Sequence, residues 1–214
     1  MQLQIRSLVP IPLRDKIARR SSGIWDRELS FQAPECLFVK APSGTGKTTL
    51  IHSLYGIRGD YEGSITWEGK SIKDLKPEDM ALLRADKLSV IFQDMRLFPS
   101  LSTWDNLELK RSLTNLISAG ELDDWMQRLG IADKKNASAA TLSYGEQQRV
   151  AILRALLQPF SWLLMDEPFS HLDQQNTAKA AALILEQVQR HNAGMLLADL
   201  DDNNFFPYHQ TLSL

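Results

Sequence analysis

The sequence predicts an α/β fold with helices packed on a largely parallel sheet, and three observations carry that expectation. Short apolar runs of strand length alternate with helical stretches along the chain. One run, Cys36 to Lys40, leads through the glycine-rich stretch Ala41-Pro-Ser-Gly-Thr-Gly-Lys-Thr-Thr49 into helix-forming residues from Lys47 to about Tyr55. Another, Leu163 to Met165, ends on two carboxylates, Asp166 and Glu167. In open parallel sheets that end of a strand is where ligands bind.

The remaining elements follow in order. Ser64-Ile-Thr-Trp67 alternates and stops at Gly69, as an edge strand does. Leu88 to Phe92 is a further strand. From about Asn106 to Ala140 the pattern turns helical, through Leu107, Leu109, Leu113 and Leu116, then Leu122, Trp125, Met126 and Leu129. We read it as a small helical lobe inserted in the core. Leu163 to Met165 and Met195 to Ala198 read as central parallel strands, with a helix from about Thr177 to His191 between them. The chain is thus one domain over 1–214, with a core of 1–94 and 142–214 and a lobe of 95–141.

At 214 residues the chain can bury one substantial core. A net charge of −2 gives no general electrostatic case for nucleic acid. Cys36 is the only cysteine, which excludes an intrachain disulfide and fits a reducing cytosol. The N-terminal residues lack the apolar stretch of a secretory signal. No apolar run approaches the roughly 20 residues needed to cross a bilayer. Work at a membrane would need another chain.

The glycine-rich stretch has the chemistry of a phosphate cradle. Ser43, Gly44, Thr45 and Gly46 let successive backbone N–H groups turn inward, and the following helix adds its positive end. Lys47 would reach the β- and γ-phosphates of a nucleotide and Thr48 would hold Mg²⁺. Ala41 and Pro42 form the entry and Thr49 continues the helix. Ala41 stands where such loops usually begin with glycine, so the entry turn must keep negative φ. Asp166 would hold Mg²⁺ through its water shell, and Glu167 would orient or deprotonate an attacking water.

A second glycine turn, Leu142-Ser-Tyr-Gly-Glu-Gln-Gln-Arg149, opens a helix and precedes Trp162-Leu-Leu-Met-Asp-Glu-Pro168. Taken in this order with the phosphate loop, these stretches resemble the ATP-binding-cassette (ABC) ATPases over nearly the whole chain. The resemblance implies a P-loop NTPase core of ABC type, an N-terminal antiparallel β region and the inserted lobe. It implies ATP and Mg²⁺, and a head-to-tail pair of subunits. In that pair Ser143, Tyr144, Gly145 and Glu146 would meet the γ-phosphate bound to the other copy, with the Ser143 hydroxyl and the Gly145 amide as donors. By the same resemblance Gln93 is the Q-loop glutamine, a Mg²⁺ contact and relay to the transport partner. Ser170 and Asp173 belong to the D-loop at the subunit interface, and His171 between them is most simply a loop histidine. A second copy of the chain and an integral-membrane permease are the implied partners, with no nucleic acid. The implied location is the cytoplasmic face of the inner membrane.

The match fails at two places. Family members carry a histidine just after the strand following the D-loop helix, where this chain has Leu200. An isobutyl group cannot donate a hydrogen bond, so slow or partner-dependent hydrolysis is one reading. Where the family places an aromatic against adenine the chain has Ile11-Pro-Leu13, and the nearest large ring, Trp25, reads as part of a strand. Around Gln93 the text Leu97-Phe-Pro-Ser-Leu-Ser-Thr103 resembles the lipoprotein-release, macrolide-export and cell-division branch, the LolD, MacB and FtsE group. Met95, Leu97 and Phe98 are either apolar anchors for a membrane partner's helix or buried residues of the lobe. The first functional reading is an ATP-hydrolysing subunit of a membrane complex. The alternative is a regulatory or structural subunit that binds ATP and turns over poorly. A soluble DNA-repair or translation ATPase of the same superfamily is the weaker third.

Overall fold

The computed structural model describes all 214 residues. Its strands are β1 (Gln2–Pro10), β2 (Glu28–Gln32), β3 (Cys36–Lys40), β4 (Tyr61–Trp67), β5 (Lys70–Ser71), β6 (Leu88–Ile91), β7 (Trp162–Asp166), β8 (Gly194–Asp199) and β9 (Gln210–Ser213). Its helices are α1 (Arg14–Ile17), α2 (Lys47–Leu54), α3 (Pro77–Asp86), α4 (Thr103–Thr114), α5 (Ala119–Arg128), α6 (Tyr144–Leu156) and α7 (Gln174–Arg190).

Five strands in the order β6-β7-β8-β3-β9 make a wholly parallel sheet. β7 and β8 are buried along almost their whole length, which is why both read as unbroken apolar runs rather than alternating ones. A four-stranded antiparallel sheet, β2-β1-β4-β5, lies at the N-terminal side. The parallel sheet divides the interior. On one face Leu50, Ile51 and Leu54 of α2 pack with Val39, Leu164, Leu196 and the antiparallel sheet. On the other, Phe38, Met165 and Leu197 pack with α6, α7 and the lobe residues Leu107, Leu122, Trp125 and Met126.

Several boundaries differ from the sequence reading for identifiable reasons. The strand read from Ser64 begins at Tyr61 and is not simply an edge, since it pairs with β1 along its length and with β5 at Thr66 and Trp67. Gly63 hides the alternation there. It sits at φ +80° opposite a register shift in β1, where a Cβ would lie 2.2 Å from the carbonyl oxygen of Ser7. The lobe helix starts at Thr103, not Asn106, because the Ser102 side chain caps it by accepting from Asp105 N. Asp173 likewise starts α7 at Gln174. Helix does not continue to Ala140. It ends at Arg128, and short 3₁₀ turns at Ala132–Lys134 and Ala139–Thr141 complete the lobe. Trp25 lies in a turn before β2 rather than in a strand.

Candidate nucleotide site

The ends of β3, β7 and β8 lie side by side, joined beyond the ladder by Ala41 N to Asp199 O (3.0 Å) and Glu167 N to Ala198 O (2.9 Å). This register brings the phosphate loop against the two acids. Ala41 is fully buried and keeps negative φ, so the missing glycine costs the entry turn nothing. Gly46, at φ +112°, caps α2, and a Cβ there would meet Leu13 Cδ1 at 2.7 Å and the Trp25 ring at 3.0 Å. Trp25 Nε1 donates to Thr45 O at 3.3 Å. The tryptophan is therefore a buried buttress of the loop, not a free stacking surface.

Lys47 is buried. Its Nζ donates to Ala41 O at 2.8 Å and lies 3.2 Å from Glu167 Oε1. Gln93 Nε2 lies 3.4 Å from the other Glu167 oxygen. Ser43, Gly44, Gly46, Lys47, Thr48 and Thr49 line a cavity of about 410 Å³ closed by Gln93, Glu167 and, from the N-terminal segment, Leu13 and Lys16. A neighbouring space of about 170 Å³ is bounded only by polar side chains, those of Thr48, His52, Gln93, Asp94 and Asp166.

Asp166 is fully buried and neither of its carboxylate oxygens has a hydrogen-bond partner. Burial pushes its carboxyl above the usual carboxylate range, while the Thr48 hydroxyl opposes the shift without a bond of regular geometry. An orphaned buried carboxylate facing a hydroxyl and an amide is a hard-oxygen set, and these residues fit Mg²⁺.

Glu167 takes φ +45°, a left-handed conformation that is costly for a side chain of this kind. Gln148, which sequence reasoning passed over, holds it there. The buried Gln148 side chain donates to Glu167 O and to Ser170 Oγ, each at 3.3 Å, and accepts from His171 N at 2.9 Å. The signal was present, since a helix with small and apolar neighbours carries one polar residue on its core-facing side.

The second glycine turn stands apart. None of Ser143, Tyr144, Gly145 or Glu146 borders the phosphate cavity. Ser143 and Glu146 form a capping box, in which Ser143 N and Oγ both donate to Glu146 Oε2 at 2.7 and 2.9 Å. The Ser143 hydroxyl, expected as a donor to an incoming phosphate, is thus already engaged. Gly145 is required by packing, for a Cβ there would lie 2.9 Å from His171 O. Tyr144 is exposed, its ring centroid 5.3 Å from that of His171. Asp173 is occupied in capping α7. Leu200 is 38% exposed. Of the three apolar residues after Gln93, Met95 is buried and Leu97 packs on the core that joins the parallel sheet to α4–α7, so only Phe98 is exposed enough to anchor a partner.

The family model described as "ABC transporter" matches residues 26–170. The chain belongs to the ABC transporter family. Its cassette is 35% identical over 172 residues to the thiamine import ATP-binding protein ThiQ of Cereibacter sphaeroides, covering 79% of this chain and 72% of that one. It is 32% identical over 180 residues to the lipoprotein-releasing system ATP-binding protein LolD of Buchnera aphidicola, covering 81% and 77%. In fold it is similar to the dimeric structure of the bacterial ABC transporter cassette MJ0796, with a TM-score of 0.76 at 22% identity over 93% of this chain and 88% of that one. As an ABC cassette the chain is an ATP-binding ATPase domain. Ile11 to Leu13 and Leu200, where the expected aromatic and histidine are missing, both fall outside the matched residues.

Proposed function

We propose that this cassette is the ATP-hydrolysing subunit of a membrane ABC complex, working as a head-to-tail homodimer that drives a separate transmembrane chain. The observation that carries the reading is the convergence of Lys47 and Gln93 on the two oxygens of Glu167, at 3.2 and 3.4 Å, in one cavity beside the orphaned Asp166. Lys47 would exchange its carbonyl and carboxylate partners for the β- and γ-phosphates, and the loop amides from Ser43 to Thr48 would hold the rest of the triphosphate. Thr48, Asp166 and Gln93 would hold Mg²⁺, which when bound neutralises charge developing on the transferred phosphoryl group. Released from Lys47, Glu167 is free to take a proton from the attacking water. Ser143, Tyr144, Gly145 and Glu146, remote from the cavity of their own chain, would complete the site of the second copy through the amides at the start of α6.

No helix is long and apolar enough to cross a membrane. In this reading a separate integral-membrane permease carries the transport path, and this chain works at the cytoplasmic face of the inner membrane. The text around Gln93 favours a LolD/MacB/FtsE-like branch, in which ATP drives mechanical work by the partner. A second reading, a slow ATPase with a regulatory task, is favoured by one observation, the apolar Leu200 at the expected histidine position. Glu167→Gln tests the head-to-tail arrangement. It should bind ATP, stall hydrolysis and elute as a dimer with Mg-ATP but as a monomer without nucleotide. A monomer under both conditions would count against the head-to-tail arrangement.

A further inference from the structure

The phosphate cavity has a second cation on its rim. Lys16 of α1 borders it beside Leu13. It borders no part of the polar space at Asp166 and Gln93, and instead shares a narrow crevice with Gly44 and Thr45 of the phosphate loop. Lys16 thus stands at the end of the site away from the acids. It makes no ion pair. Arg14 of the same helix is taken by Glu62, and Glu167, the one carboxylate that lines the cavity, by Lys47.

The segment that carries Lys16 is fixed on both sides. Leu13 and Ile17, one helical turn apart, pack on the core beneath the antiparallel sheet, and Leu13 also closes on Gly46. Further on, Ser22 Oγ accepts from Ile24 N and Trp25 N at 3.0 and 2.9 Å. The Lys16 side chain is exposed, so its ammonium reaches the cavity from water without a burial cost.

Leu13 is the one apolar side chain on the cavity wall, and no aromatic ring lines it. Trp25 is only 3% exposed. The outer end of the site therefore offers a nucleotide one isobutyl group and one ammonium. Neither tells one base from another, since any base has an apolar face and an acceptor on its edge. What Lys16 does offer is charge. A triphosphate spreads negative charge over all three of its groups, and Lys47 and Mg²⁺ attend to the two farthest from the ribose. The phosphate next to the ribose has a side-chain cation only if Lys16 supplies it.

We propose that Lys16 grips the phosphate next to the ribose, so that this chain holds its nucleotide by charge at both ends rather than by the base. Such a grip rests on the reading of the cavity as the ATP site and adds the residue that holds the nucleotide's outer end. The contact is equal in substrate and transition state, so it acts on KM and leaves kcat alone.

Calorimetric titration of the full chain with Mg²⁺ and ATP, ADP or GTP at low salt tests this. ATP and GTP should bind within about threefold of each other. Lys16→Met should weaken all three nucleotides by about five- to tenfold and raise KM for ATP to match, with kcat unchanged. Lys16→Arg should keep the wild-type affinity, and Lys16→Glu should lose more than Lys16→Met. Arg19→Met removes an equal charge from the same segment at a residue that does not border the cavity, and should change nothing. The Lys16→Met loss should shrink in about 0.5 M salt, because the charge is exposed. Unchanged affinity in Lys16→Met overturns the proposal. So does an equal loss in Arg19→Met, which would reveal a diffuse field in place of a contact. A loss confined to ATP would put Lys16 on the γ-phosphate, and a GTP affinity far below that for ATP would show that the base is read; either result overturns the proposal. No binding of any nucleotide by the wild-type chain would overturn the site reading together with it.

Discussion

Gln148→Leu tests whether the catalytic loop is held from behind. The buried amide makes three bonds, two to the loop carrying Glu167 and Ser170 and one to His171 N. Each is worth about 0.5–1.5 kcal/mol net, and a buried partner left without its bond costs about 1–3 kcal/mol. Glu167 at φ +45° carries conformational strain on the order of 1–3 kcal/mol. The clamp and the strain are of the same size, so losing the clamp lets Glu167 relax out of its position against Lys47. A loss of about 1.4 kcal/mol of transition-state positioning corresponds to a tenfold fall in kcat. We expect kcat to fall by about tenfold or more with KM for ATP little changed, since the phosphate loop is untouched. Gln148→Glu should also be impaired, because it keeps an acceptor for His171 N but loses the donor to Glu167 O. Steady-state ATPase assays beside thermal melts provide the check. A melting temperature that drops while kcat holds would show that Gln148 serves only folding, and the positioning argument would fail.

Lys47→Ala should weaken ATP binding or abolish turnover, read by nucleotide titration and ATPase assay; full activity would remove the site assignment. Leu200→His restores a donor that the family carries, and one such bond to a charged group, worth about 1.5–3 kcal/mol, should raise single-turnover hydrolysis by roughly tenfold or more. No gain would mean that another group already serves. Asp166→Asn removes a buried, unpartnered charge, so in the presence of a chelator it should melt no lower than wild type, while the stabilisation of wild type by Mg²⁺ should be lost. A metal-dependent melt that survives the substitution would place Mg²⁺ elsewhere.

The parallel core was legible because β3 and β7 are buried on both faces and their chemistry sits at their ends, where Gly46, Lys47, Asp166 and Glu167 stand in fixed order. Strands whose residues face water were not. β9, with the sequence Gln-Thr-Leu-Ser, is mostly exposed and joins the sheet only through its pairing with β3. Capping decided the helix starts at Ser102 and Asp173, a side-chain effect that an apolar count does not register. Within the site, the contacts that hold Glu167 and the phosphate loop come from Gln148 and Trp25, far from either motif in sequence. The Ser143 hydroxyl looked like a free donor until the capping geometry of Glu146 was seen.

The clip between Arg154 and the carbonyls of Met95 and Arg96 gives α6 a mechanical character. Its 13 residues span about 20 Å as a rigid rod. One end is fastened to the Met95–Arg96 segment, and the other carries Ser143 to Glu146, with Gly145 pressed on the His171 carbonyl. Because α6 shares one apolar core with the lobe, neither moves alone. In the proposed head-to-tail pair, a push on the Met95–Arg96 segment would be delivered as displacement of the far tip, and closure of the tip on a second copy would pull back on that segment. The rod would then work as a crank between the two surfaces, with no hinge needed within the helix.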